Sequence, residues 1–201
     1  MRSNRWLLEL AAVLAVAAGA VVWAYASRTP VSYHGRVMDP VRAAPDFALT
    51  DQQGRPFRLS SQRGSAILLF FGYTSCPDVC PTTLSTFRQV RQALGSDAEQ
   101  VRFVFVTVDP ERDTPERLRE YLAFFDPSVV GLWGELDALE TVREAYGVYA
   151  AKSLDPQAPD GYWMNHTATA FLVDASGNLR LSYSFGTPAE DIAADVRQVL
   201  R

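Results

Sequence analysis

One stretch limits the possible architectures more than any other. Ala66-Ile67-Leu68-Leu69-Phe70-Phe71 is six apolar residues with no polar face. A strand of that kind is buried on both sides, which places it centrally in a sheet covered by helices. Gly72 to Pro77 reads as a loop. Val79 to Leu94 then carries Leu84, Phe87, Val90 and Leu94 at spacings of three and four, one face of a helix that Gly95 ends. Pro81 is compatible with that helix in its first turn.

The remainder keeps the alternation. Pro45–Leu49 and Pro56–Leu59 flank a glycine-bearing turn and predict a short hairpin. Val101 to Val108 is a second strand, stopped by Asp109-Pro110. Thr114-Pro115-Glu116 opens a helix that reaches about Phe125. A short strand over Val129–Trp133 and a helix over Leu136–Tyr146 follow, the helix closed by Gly147. Leu154 to Tyr162 is a polar, proline-bearing loop. Ala168–Val173 and Leu179–Phe185 are strands joined by a turn. Thr187-Pro188-Ala189-Glu190 has the form of a capping box before the last helix. The expectation is an α/β domain over residues 43–201, a central sheet flanked by helices with antiparallel strands added at one edge.

The N-terminus has a different character. Arg2 and Arg5 precede an apolar run from Leu10 to Ala26, with Trp6, Trp23 and Tyr25 near its ends. That run is just long enough to span a bilayer, and residues 6–26 are expected to form the span. Their basic flank, residues 1–5, is expected to stay in the cytoplasm, which sends the rest of the chain across the membrane. Two readings stand: a retained signal anchor, favoured by the length of the run, or a cleaved signal peptide, favoured by Ala24-Tyr25-Ala26. Residues 27–42, broken by Pro30 and Pro40, read as a linker, with His34 a surface residue within it. The net charge is -4 and no basic cluster is present, which argues against a nucleic-acid binder.

The chain has two cysteines, Cys76 and Cys80, in the stretch between the buried strand and the helix. A bridge between them closes too small a loop to restrain an unfolded chain, so redox or metal chemistry explains the pair better than stapling does. Thiols at the carboxyl end of a strand and the start of a helix meet the positive end of the helix dipole, which lowers their pKa. They are also suitable ligands for a soft ion such as Cu(I). Three intervening residues, rather than the two of the usual dithiol motif, leave room to clasp a metal while a disulfide can still close. His166, before a strand and after the polar loop, is the candidate third ligand. Structural zinc asks for four ligands, and no further cysteine supplies them. Asp78, between the cysteines, and Asp109, at the end of the neighbouring strand, are candidates to orient His166 or attract a cation. Arg112-Asp113 reads as surface loop, and Met164 as packing.

Three segments together resemble the SCO/SenC family of copper chaperones for cytochrome c oxidase assembly. They are Gly72-Tyr73-Thr74 leading into Cys76-Pro77-Asp78-Val79-Cys80-Pro81; Val108-Asp109-Pro110-Glu111-Arg112-Asp113-Thr114-Pro115; and His166-Thr167 before Phe171-Leu172-Val173-Asp174. The resemblance implies a thioredoxin-like fold and one bound copper ion, as Cu(I) or Cu(II). Cys76, Cys80 and His166 would be its ligands, and Cys76 and Cys80 would also form a redox-active pair. It further implies a bacterial inner-membrane anchor with the domain in the periplasm. The partner would be cytochrome c oxidase subunit II or a related copper acceptor, through delivery of copper to its binuclear centre or upkeep of its thiols, with another periplasmic copper donor or thiol reductant as a further partner. A thiol–disulfide oxidoreductase without an essential metal is the rival reading. A peroxiredoxin-like peroxidase is a weaker one, because Thr74 stands two residues before Cys76 rather than three.

Overall fold

The structure is a computed structural model that describes residues 5–26 and 32–201. The basic residue Arg2 and linker residues 27–31 lie outside that set. The described residues fall into two units, divided after Ser32. The first carries α1 (Arg5–Ala26), a helix of 22 residues whose Leu10, Val13, Leu14 and Val16 are exposed. Among the described residues no helix is long and apolar enough to cross a membrane, so the spanning segment expected over residues 6–26 is not shown here.

The second unit runs from Tyr33 to Arg201. Its elements in chain order are β1 (Arg36–Ala43), β2 (Ala48–Asp51), β3 (Pro56–Arg58), β4 (Ala66–Gly72), α2 (Val79–Leu94), β5 (Val101–Thr107), α3 (Pro115–Phe125) and β6 (Val130–Trp133). They continue with α4 (Leu136–Ala145), β7 (Ala150–Leu154), β8 (Tyr162–His166), β9 (Thr169–Val173), β10 (Asn178–Ser184) and α5 (Ala189–Val199). Eight strands form one sheet in the order β1-β10-β9-β4-β5-β6-β2-β3, while β7 and β8 pair apart from it. The result is a mixed α/β fold with a central sheet flanked by helices. All of β4 is buried, as its unbroken apolar run requires. Leu84, Phe87, Val90 and Leu94 are the buried face of α2. A buried leucine or phenylalanine contributes about 1.5–3 kcal/mol, so these four side chains alone hold α2 firmly in place.

Three registers decide where the site can be. Parallel β4 and β5 run from Ala66 opposite Val101 to Gly72 opposite Thr107, so both chains leave the sheet at one edge. Strand β9 runs antiparallel to β4 with Ala170 opposite Phe70. The residues just before β9, which include His166, therefore arrive at that same edge.

The structure departs from the sequence reading in several places. Residues 36–42 of the expected linker, together with Ala43, form an edge strand paired with β10. Their side chains are almost all exposed, so no apolar alternation announced the strand, and its edge position accommodates Pro40. His34 is exposed at its ring, but its backbone N–H and that of Gly35 donate to the buried carboxylate of Asp195 at 3.0 and 2.8 Å. The expected loop at 154–162 is the tip of the β7–β8 hairpin. Thr187 does not cap α5: its hydroxyl donates to the Ser184 carbonyl at 2.8 Å, and the helix starts one residue after Pro188. Arg112-Asp113 is not surface loop, since Asp113 is fully buried and the Arg112 side chain nearly so.

Candidate metal centre

The loop after β4 is held from below by a buried carboxylate. Asp113 accepts from the Thr74 hydroxyl at 2.6 Å, from the Thr74 N–H at 3.1 Å and from the Thr107 hydroxyl at 2.7 Å. Burial pushes the Asp113 carboxyl above its ordinary pKa, even though these donors favour its charged form. The Thr74 oxygen in turn accepts from Arg117 Nε at 2.6 Å, and Arg117 also reaches the Ser75 hydroxyl at 3.1 Å. Thr74 is thus committed on both sides and fixes the chain two residues before Cys76. Gly72 permits close approach there, because a Cβ on it would stand 2.9 Å from the Cys80 sulfur.

Asp78 precedes the first turn of α2, and Cys80 and Pro81 lie within it. Cys76 is half-buried and Cys80 fully buried, both as free thiols. The Cys80 N–H donates to the Cys76 sulfur at 3.4 Å. A hydrogen bond from the Cys80 thiol, with further ones from His166 and the backbone, lowers the Cys76 pKa to about 4 against the opposing cost of burial. Burial, and the neighbouring Cys76, push the Cys80 thiol far up. Tyr73 packs beside them, its hydroxyl pushed up to about 12 by burial and by the Cys76 charge.

The imidazole comes from the other side. His166 Nε2 lies 3.4 Å from the Cys80 sulfur, while Nδ1 is 3.1 Å from the Thr167 carbonyl. A carbonyl only accepts, so Nδ1 carries a proton, and Nε2 is the nitrogen that faces the thiols. The ring stands edge-on to Phe70 and Tyr73, at 6.0 and 5.8 Å between centroids. One ligand atom from each of Cys76, Cys80 and His166 falls within 4.8 Å of the others. Sulfur and nitrogen ligands at bonds of about 2.0–2.3 Å around a three-coordinate ion stand about 4 Å apart, so the donor set fits a metal with little movement. The cleft above them, of about 360 Å³, is walled by Tyr73, Pro77, Val79, Trp163 and Met164.

Neither carboxylate singled out in the sequence contacts the imidazole. Asp78 lines the cleft and accepts from Thr82. Asp109 is fully buried; it pairs with Arg112 Nε at 2.5 Å and accepts the Tyr162 hydroxyl at 2.9 Å. It therefore acts on the start of β8 rather than on His166 itself. The sequence reading missed Asp113, Thr107 and Tyr162 as supports. The signal for Asp113 was its place beside a strand end facing the cysteine loop, which only the β4–β5 register makes visible.

Two thiols and an imidazole at the strand ends of a thioredoxin-like sheet define a class, that of small metal-handling dithiol domains. The SCO1/SenC family profile matches residues 37–201. An SCO2-like protein of Rickettsia felis is 33% identical over 195 residues, covering 94% of this chain and 95% of its own. The structure of Bradyrhizobium japonicum ScoI with copper bound is 41% identical, with a TM-score of 0.72, covering 79% of this chain and all of that one. The apo Sco1 protein of Thermus thermophilus is 39% identical, with a TM-score of 0.75, covering 84% and 98%. The chain belongs to the SCO1/SenC family.

Proposed function

We propose that this chain carries one copper ion on Cys76, Cys80 and His166 and serves cytochrome c oxidase assembly. In this reading it delivers copper to the binuclear centre of subunit II or keeps the thiols of that centre reduced. The observation that carries the reading is the convergence of two sulfurs and one imidazole nitrogen within 4.8 Å, beyond the carboxyl end of the central strand β4. Two soft thiolates suit Cu(I), and the imidazole extends the site to Cu(II). Three ligands leave one side open, which favours handing the ion on over keeping it. Copper bound to the Bradyrhizobium relative supports the choice of metal.

The location is part of the proposal. From Leu10 to Ala26 α1 is an apolar run, and its Leu10, Val13, Leu14 and Val16 are exposed, which suits an apolar surrounding better than water. We read it as a bacterial inner-membrane anchor or export signal, with the domain in the periplasm. An oxidising compartment suits a reversible dithiol.

Copper titration of the reduced full-length chain tests the reading. One ion per chain is expected, and His166→Ala should weaken Cu(II) binding more than Cu(I) binding, since two thiolates hold Cu(I) without it. Unchanged Cu(II) affinity and absorption in His166→Ala would sink the three-ligand site. A second reading, thiol–disulfide exchange without an essential metal, is favoured by the unequal thiols. Cys76 is accessible and acidic while Cys80 is buried, the arrangement of an attacking and a resolving sulfur.

A further inference from the structure

His166 rides on a hairpin that lies outside the main sheet. Its base is tied where the chain enters and leaves. Thr167 N–H donates to the Tyr149 carbonyl at 2.9 Å, and Arg143 donates to the Ala150 carbonyl at 3.0 Å. The base alone leaves the tilt of the hairpin open. Tyr162 begins β8 at the other end, roughly 13 Å from His166 for four steps of strand.

Arg112 meets that far end. Its Nη1 donates to the Tyr162 carbonyl at 3.0 Å, and its guanidinium lies 3.8 Å from the centre of the Tyr162 ring. The same guanidinium stands 5.6 Å from the ring of Tyr73, three residues before Cys76. Asp109 completes the arrangement, pairing with Arg112 Nε and accepting the Tyr162 hydroxyl. The Lys152–Glu111 pair on the outside is exposed, and such pairs add little.

We propose that Arg112 is a positioning residue that sets the distance of His166 from the two thiols, by holding the histidine hairpin and the cysteine loop against one guanidinium. This rests on the three-ligand reading and deepens it. Only a planar fork can pair with Asp109, bond the Tyr162 carbonyl and lie over the Tyr162 ring while staying within 6 Å of Tyr73; an ammonium cannot. The cysteine arm keeps its own anchors, Asp113 and Arg117 on Thr74, so the histidine arm is adjustable without disturbing it. The consequence is selective: Cu(II), which needs the imidazole, depends on Arg112, and Cu(I), which two thiolates hold, does not.

The test uses the full-length chain with Arg112→Lys, Tyr162→Phe and His166→Ala in parallel. Without metal, Arg112→Lys should speed amide hydrogen exchange over residues 163–166 while β4 and β5 keep their protection. With metal, its Cu(II) affinity should fall by roughly tenfold or more, the range seen when groups supporting a ligand are altered, with Cu(I) affinity unchanged. Tyr162→Phe keeps the Arg112–Asp109 pair and the ring and should fall between Arg112→Lys and wild type; it carries the test if Arg112→Lys does not fold. Unchanged exchange and an unchanged Cu(II)-to-Cu(I) ratio overturn the proposal. So does a parallel fall of both affinities with the melting temperature, which would make Arg112 a general support. If His166→Ala also leaves Cu(II) binding intact, the three-ligand reading itself fails, whatever the exchange shows.

Discussion

The sulfur of Cys76 accepts the N–H of Cys80 at 3.4 Å, one turn along the same chain, and the two thiols end up on opposite sides of neutrality. Cys76 sits where the orphan donors of α2 gather and is half-open to solvent. Cys80 is enclosed, and an enclosed thiol resists ionising. The pair is polarised before any metal or partner arrives.

Alkylation should reveal that polarity. A depressed pKa means that the thiolate is present above about pH 4 and lost as the pH falls through that value. Iodoacetamide should therefore label Cys76 first, at a rate that is flat through neutral pH and drops below about pH 5. Cys80 should stay unlabelled until the protein unfolds. Equal labelling with a midpoint near pH 8.5, the free-cysteine value, would show that the polarity is absent.

Gly72 should not tolerate a methyl group. A Cβ there would stand 2.8 Å from Phe105 Cε2 and 2.9 Å from both the Cys80 sulfur and Phe70 Cε1. Overpacking of this kind costs about 1–3 kcal/mol. Gly72→Ala should lower the urea midpoint accordingly and weaken copper binding by displacing Cys80. A wild-type midpoint would mean that the neighbouring rings give way.

Much of this was legible in the sequence, and what was not has physical reasons. β4 and α2 announce themselves because burial demands unbroken or periodic apolar residues, and the cysteines stand at their junction. His166 was identifiable by residue type. Its approach to Cys80 depends on β9 pairing with β4 at long range, which no local pattern encodes. β1 escaped because an exposed edge strand needs no alternation. Asp113 looked like loop because its neighbours are charged, yet the parallel register of β4 and β5 brings it beneath Thr74. Asp78 and Asp109 were chosen for their place in the chain. The structure puts one on the rim of the cleft and the other under the hairpin, with the imidazole held instead by a backbone carbonyl.

Asp113→Asn tests the support of the cysteine loop. The carboxylate accepts from two hydroxyls and a backbone N–H; the N–H cannot accept from an amide NH₂ at all, and the hydroxyls only by turning away. A buried donor left facing donors costs about 1–3 kcal/mol. Thermal unfolding should show that loss, together with faster hydrogen exchange at Thr74 and Ser75. A stable variant with unaltered exchange would show that Arg117 alone holds the loop.

Asp195→Ala should loosen the start of the second unit. The N–H groups of His34 and Gly35 would lose the carboxylate they share. A loss of about 1–3 kcal/mol is expected. Trypsin should cut faster after Arg36 and Arg42 while sites within α2 remain protected. Unchanged cleavage there would mean that the pairing of β1 with β10 suffices.

The two outermost strands also govern how copies of this domain behave when crowded together. At one rim β1 presents Arg36, Asp39, Pro40 and Arg42, with its register broken between Val37 and Arg42. At the other, β3 is three residues long and begins with proline. Charge, proline and irregular register all deny a neighbouring chain a template for strand addition. Trimming residues 33–43 would uncover β10, a strand of seven residues, and remove that protection, leaving an edge that invites aggregation.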